Sequence, residues 1–269
     1  MVSKIGLYAY GLVGNSPKQL NILGIDNKNK VYPVSGRDIC VMVSKINTDK
    51  FQDEIKKLVS KLAKTPRAVP RETEEILTRH ENVVDALMKL TPVVPFKFGT
   101  ILKNDTAALK MLRDYGKKFK KLLSKFRGRQ EWGLKVYADN QEFKKHLAEE
   151  EPRFKDLEEK RHKSSTGVAY LLGRKMAEEL DNNVAARLAK INQFIFQQAG
   201  KNAYQAKLNK TLPQKLTGKN KDMILNPAFL IETEKAADFC QQVKKLIDKY
   251  QPMGLAIELS GPWPPYSFT

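Results

Sequence analysis

The spacing of hydrophobic residues changes period several times along this chain, and each change marks an element. Residues 5–13 (Ile-Gly-Leu-Tyr-Ala-Tyr-Gly-Leu-Val) carry apolar groups on both faces, the pattern of a central strand covered on both sides. Lys4 is the only charge before it and no small-residue cleavage pattern follows, so it reads as a strand rather than the apolar stretch of a secretion signal. Residues 15–30 are polar and turn-rich. Residues 31–35 and 39–44 then read as a hairpin about Gly36, with Pro33 assigning the first strand to an edge. A helical period starts after Asp49 and Gln52, which resemble a capping box, and continues through Phe51, Ile55, Leu58, Val59 and Leu62. Pro66 and Pro70 break it. A second helix places Ile76, Leu77, His80, Val83, Val84, Leu87 and Leu90 on one stripe. His80 on that stripe is expected to be a core histidine bonded to a backbone carbonyl.

Residues 91–100 (Thr-Pro-Val-Val-Pro-Phe-Lys-Phe-Gly-Thr) form a short buried strand entered and left at prolines. Phe96 and Phe98 fall on one side of an extended chain, and Gly99 permits a sharp turn. His80, Pro95, Phe96, Phe98 and Gly99 are therefore expected to be architectural, as is Trp132 further on. Asn104 or Asp105 can cap the next helix, whose inner face is Leu109, Leu112, Phe119, Leu122, Leu123 and Phe126. Trp132, Leu134 and Val136 alternate in a strand that opens a second domain. Asp139 with Glu142 again has capping-box spacing. The helical region that follows runs with interruptions to about residue 200. Within it, residues 149–163 are charged almost throughout and are expected to project into solvent, whereas Val168 to Ile195 resumes an apolar stripe. Residues 200–221 are Lys- and Asn-rich without an acid and read as a loop. A strand interrupted by Pro227 comes next, followed by a helix capped by Thr233. A strand alternating through Met253, Leu255, Ile257 and Leu259 leads to an aromatic, proline-rich tail. The expected class is α+β, in two domains of mixed sheets and packed helices. Residues 1–129 form the first, and residues 130–269 the second, with a long helical insertion and the tail.

Charge adds a partner class. The formal net charge is +18 over 269 residues, unevenly spread: residues 1–129 hold 26 Lys and Arg against 12 Asp and Glu. That bias implies attraction to something anionic. Lys110, Arg113, Lys117, Lys118, Lys120 and Lys121 crowd the outer face of the third helix and, with the tail aromatics Trp263, Tyr266 and Phe268, are the candidate partner-binding residues. The two cysteines, Cys40 and Cys240, form no CxxC pair and suit a reducing cytosol. No apolar run reaches the roughly 20 residues of a membrane span.

Chemistry is harder to find. HExxH, GxSxG and phosphate-loop spacings are absent, and no cysteine has a histidine partner within motif range. His146 and His162 lie in charged helix and read as surface residues. No catalytic residue, metal site or cofactor is expected. A basic nucleic-acid-binding protein is the alternative on charge alone, although no aromatics interleave with the basic run.

Several strings, taken in order, resemble one family: Tyr-Ala-Tyr-Gly-Leu-Val at 8–13, His80-Glu81 with Val84, Pro-Phe-Lys-Phe-Gly-Thr at 95–100, Arg-Gln-Glu-Trp-Gly-Leu-Lys-Val at 129–136, Tyr-Leu-Leu-Gly-Arg at 170–174, Asn-Pro-Ala-Phe-Leu-Ile at 226–231, and Gly-Pro-Trp-Pro-Pro-Tyr-Ser-Phe at 261–268. Together they are similar to the gas vesicle GvpL/GvpF proteins over essentially the whole chain. The resemblance implies a ferredoxin-like second domain. It also implies a non-enzymatic, cytoplasmic, vesicle-associated role in binding the shell protein GvpA and other vesicle proteins. The basic helix and the Lys-rich 200–221 segment are more cationic than the family leads one to expect.

Overall fold

The computed structural model describes residues 4–14, 20–64 and 71–269. The side chain of Leu62 and residues Pro66 and Pro70, which sequence assigns to the first helix and its end, lie outside what is described, as do residues 15–19 of the turn-rich segment. Two compact units are present. The first comprises residues 1–132, 230–234 and 261–269, and the second residues 133–229 and 235–260. The tail, which chain order alone assigns to the second half, thus belongs to the first unit.

The first unit contains β1 (Ile5–Val13), β2 (Tyr32–Ser35), β3 (Cys40–Asn47), α1 (Thr48–Lys64), α2 (Arg71–Leu90), β4 (Val93–Pro95), β5 (Ile101–Leu102) and α3 (Asp105–Phe126). Its sheet has the order β2-β3-β1-β4, with β5 also on β1. Where mixed pairing is expected from sequence, these pairs are all antiparallel. For β2 and β3 a short connection explains this: they are joined by a tight turn closed from the Gly36 amide to the Ile39 carbonyl at 2.9 Å. Strand β1 is buried from Gly6 to Val13 and contacts both α2 and α3, as a strand covered on both faces must. A bulge between Ala9 and Gly11 interrupts its register with β3. A Cβ at Gly11 would lie 2.8 Å from the Val94 carbonyl oxygen, so glycine permits β4 to approach there.

Capping departs from the expected pattern in α1. Asn47 Oδ1 accepts from the Lys50 amide at 3.0 Å, two residues before the anticipated Asp49. On α2, Ile76, His80, Val83, Val84 and Leu87 are buried, whereas Leu77 and Leu90 are exposed at the edges of the stripe; Val59 of α1 is exposed too. Asn104 caps α3 by accepting from the Ala107 amide.

The second sheet has the order β10-β6-β9-β7, with β8 also on β6. Its elements are β6 (Arg129–Ala138), α4 (Asn140–Glu150), α5 (Pro152–His162), α6 (Thr166–Gly200), β7 (Gln205–Leu208), α7 (Gln214–Thr217), β8 (Asp222–Leu225), β9 (Pro227–Glu232), α8 (Ala236–Tyr250) and β10 (Leu255–Trp263). Long helices after β6 and β9 and, with the short β8 set aside, the order last-first-third-second are compatible with a ferredoxin-like arrangement. Asp139 caps α4 as its spacing indicates. Three expectations fail here. The charged 152–162 stretch does not stand off in solvent: α5 lies against α6 and Phe154 is fully buried, because one aromatic suffices to dock a short helix. Residues 200–221 are not simply a loop, since β7 takes an edge of the sheet and α7 follows it. Thr233 opens a 3₁₀ turn, and α8 begins after it at Ala236 without a side-chain cap. In α6, Val184, Leu188, Ile191 and Ile195 are buried, whereas Val168 and Leu171 are exposed.

Candidate functional site

Two constellations in the first unit stand out: an aromatic box around His80 and the cationic face of α3. Residues i and i+2 of a strand share a face, so β1 turns both Tyr8 and Tyr10 toward α2. Their ring centroids lie 5.7 and 5.8 Å from the His80 ring. His80 Nδ1 sits 3.0 Å from the Tyr8 hydroxyl and Nε2 sits 3.2 Å from the Tyr266 hydroxyl. Partners are thus two tyrosine hydroxyls rather than the backbone carbonyl alone. The Gly99 amide donates to Tyr8 at 3.0 Å, the Ile25 amide donates to Tyr10, and Tyr10 pairs with Ser44 at 2.8 Å. Phe51 and Phe98 close the box.

Electrostatics hold the box neutral. Burial lowers the His80 imidazole to about 4, against a smaller upward pull from the Phe96 backbone. Burial pushes the Tyr10 hydroxyl up to about 12 and raises those of Tyr8 and Tyr266 as well. A neutral imidazole has one donor and one acceptor nitrogen, and each hydroxyl can take the complementary role. The set stores no charge near neutral pH, and it fastens β1, α2 and the tail together. Glu81 and Asp85, on α2, have raised carboxyl pKa values through burial.

The tail is held at two further points. Glu131, 8% exposed, accepts from the Ser267 amide at 2.8 Å and from its hydroxyl at 2.6 Å. Lys125 Nζ lies 5.5 Å from the ring centroids of both Phe126 and Phe268. Phe268 is therefore buried and Tyr266 half-buried, while Trp263 is 40% exposed. Trp132 is half-buried, and a Cβ on Gly261 would come within 3.1 Å of its ring. Pro95 is buried in β4, Phe96 donates its amide to the Tyr10 carbonyl, and Gly99 has φ +82°, a turn that favours glycine.

On α3, Lys110, Arg113, Lys117, Lys118, Lys120 and Lys121 are all exposed. Lys110 pairs with Asp114, and Lys120 pairs with Asp38 in the β2–β3 turn. Among the described residues no group of three or more His, Cys, Asp or Glu could hold a metal, and no helix is long and apolar enough to cross a membrane. Cys40 is buried, which raises its thiol to about 11.

A family model described as gas vesicle synthesis protein GvpL/GvpF matches residues 6–269. The chain belongs to the GvpL/GvpF family. It is 28% identical to gas vesicle protein L of Streptomyces sp. (strain CB03234) over 189 residues, covering 70% of this chain and 66% of that protein. It is 23% identical to gas vesicle protein L of Haloferax mediterranei over 205 residues, covering 74% of this chain and 62% of that one. The chain thus spans less than two thirds of either relative. In fold it is similar to the crystal structure of GvpF from Anabaena sp. PCC7120, with a TM-score of 0.68, 22% identity, and coverage of 98% of this chain and 95% of that one.

Within this GvpL/GvpF chain, the structure joins residues that the sequence could only name singly. His80 and Phe98 meet in one box, and Tyr266 enters it from 186 residues away. Tyr8, Tyr10, Glu131 and Ser267 were not singled out by sequence. The i, i+2 tyrosines on a buried strand were the available signal for the first two; nothing local marks the Glu131–Ser267 pair.

Proposed function

We propose that this chain is a non-catalytic accessory or minor structural protein of gas vesicles, acting in the cytoplasm by binding the shell protein GvpA and other vesicle proteins during assembly. Membership of the GvpL/GvpF family across residues 6–269 carries the reading. The state of the buried polar groups supports it. Both His80 nitrogens are taken up by tyrosine hydroxyls that burial keeps protonated, so the box holds the fold rather than leaving a free base or nucleophile. Apolar shell subunits aggregate unless held before assembly, and exposed residues such as Trp263 together with the cations of α3 provide surface for holding them.

Two measurements test it. Purified full-length chain should capture GvpA, and a host deleted for the gene should lose normal vesicles and buoyancy until the intact gene is restored. A deleted host that floats with normal vesicles overturns the proposal. Turnover of a small molecule by the purified chain would overturn its non-catalytic part.

A further inference from the structure

One feature of the first unit is independent of the aromatic box: an open groove of about 430 Å³ between the β2–β3 turn and α3. Its floor is Ile39, Leu109, Leu112 and Gly116, and its rim carries Arg37, Arg113, Lys117 and Lys120. The acid on that rim, Asp38, is neutralised by Lys120. We propose that this groove is a docking site for an acidic amphipathic helix of a partner protein, with apolar side chains seated on the floor and carboxylates meeting the rim. The inference rests on the reading of the chain as a partner-binding protein and adds the chemistry and place of one contact.

Three observations select that occupant. The lining positions on α3, from Leu109 to Lys120, follow the i, i+3, i+4, i+7 ridge along which a second helix packs. They span about 16 Å, or roughly three turns of a partner helix. Gly116 lies mid-helix at the base of the groove, where glycine weakens a helix relative to alanine. Packing does not demand it, because a Cβ there would meet only Ile39 Cδ1 at an ordinary 3.8 Å. What its missing side chain does provide is depth. Finally, the rim cations give charge complementarity with an acidic partner, and the aliphatic floor offers no ring on which a nucleotide base could stack.

The test uses full-length protein and fluorescence anisotropy with three labelled probes. One is a 14-residue helical peptide with Leu at i, i+3, i+4 and i+7 and Glu elsewhere on its flanks; the second replaces each Leu with Ser; the third is a single-stranded oligonucleotide of equal net charge. The first should bind best. The Arg113→Glu/Lys117→Glu variant should weaken it by about tenfold or more, whereas Lys56→Glu/Lys57→Glu, an equal charge reversal at exposed positions of α1 away from the groove lining, should change it by less than about threefold. Circular dichroism should show both variants equally helical. Equal losses in the two variants, or equal binding of the Ser peptide or the oligonucleotide, would overturn the groove as a helix site in favour of diffuse cationic attraction. Capture of GvpA by the full chain, measured alongside, separates the two readings: capture without peptide binding sinks the groove and leaves the accessory role standing, and absence of capture counts against that role itself.

Discussion

At the scale of single residues, His80 joins sequence to stability. Its place on the apolar stripe of α2 was legible from spacing, because a 3.6-residue period reports which face a side chain occupies. Its partners were not legible, because one hydroxyl comes from β1 and the other from the tail, and periodicity says nothing about which distant segment meets a face. Burial between those segments makes the ring a pH-dependent element. Folded, it titrates near 4; unfolded, it titrates near 6.5. Between those values the unfolded chain binds more protons, so stability present above pH 6.5 is lost as pH falls toward 4, by about 3 kcal/mol in full. Glu81 and Asp85 oppose this, since raised carboxyl pKa values favour the fold as pH falls. Comparison with His80→Gln removes their contribution. The wild-type advantage over that variant, measured by urea unfolding, should shrink by about 3 kcal/mol between pH 7.5 and pH 4. A constant difference across that range would contradict a neutral, buried ring.

At the scale of elements, legibility followed the strength of each apolar pattern. The β2–β3 hairpin, α2, α3 and α8 each present several buried residues at one period, and each formed close to where its pattern placed it. Helix α5 presents a single fully buried residue among charges, so its docking was invisible to periodicity. Phe154→Ala should cost about 3–5 kcal/mol, read by denaturant unfolding, if that ring holds α5 to α6. A loss below 1 kcal/mol would mean α5 stands off after all. Strand β7 escaped notice for a related reason: its four residues are mostly exposed and include Lys207, so a lysine-rich edge strand looks like a loop. On α3 the same reasoning runs in reverse. Gly116→Ala should raise stability by about 0.5–1 kcal/mol while weakening the acidic helical peptide, because the methyl group favours the helix and fills the groove floor. A gain in stability with unchanged peptide affinity would show that the depth of the groove is irrelevant to binding.

At the scale of the whole molecule, the order of residues along the chain misleads about which of them belong together. The tail is last in sequence yet belongs to the compact unit that begins with residue 1, because Tyr266, Ser267 and Phe268 complete bonds and packing for His80, Glu131 and Lys125. Its aromatics marked it as a candidate contact segment, but only the fold shows that two of the three candidate contact residues are engaged internally. Removing the tail is therefore a structural perturbation before it is a binding one. A chain ending at Ser260 leaves the Glu131 carboxylate without Ser267 and His80 Nε2 without the Tyr266 hydroxyl, and each such loss costs about 1–3 kcal/mol. Amide hydrogen exchange should then rise across β1 and α2, while α8, which lies in the other unit, keeps most of its protection. Trp263→Ala, by contrast, removes an exposed ring and should leave exchange unchanged in β1 and α2. If GvpA capture falls in the Trp263 variant with exchange intact, the tail contributes a contact of its own. If capture falls only on truncation, in step with the loosening of β1 and α2, the tail acts by completing the core beneath the binding surface. Uniform loss of protection in both units on truncation would refute the assignment of the tail to the first unit's core.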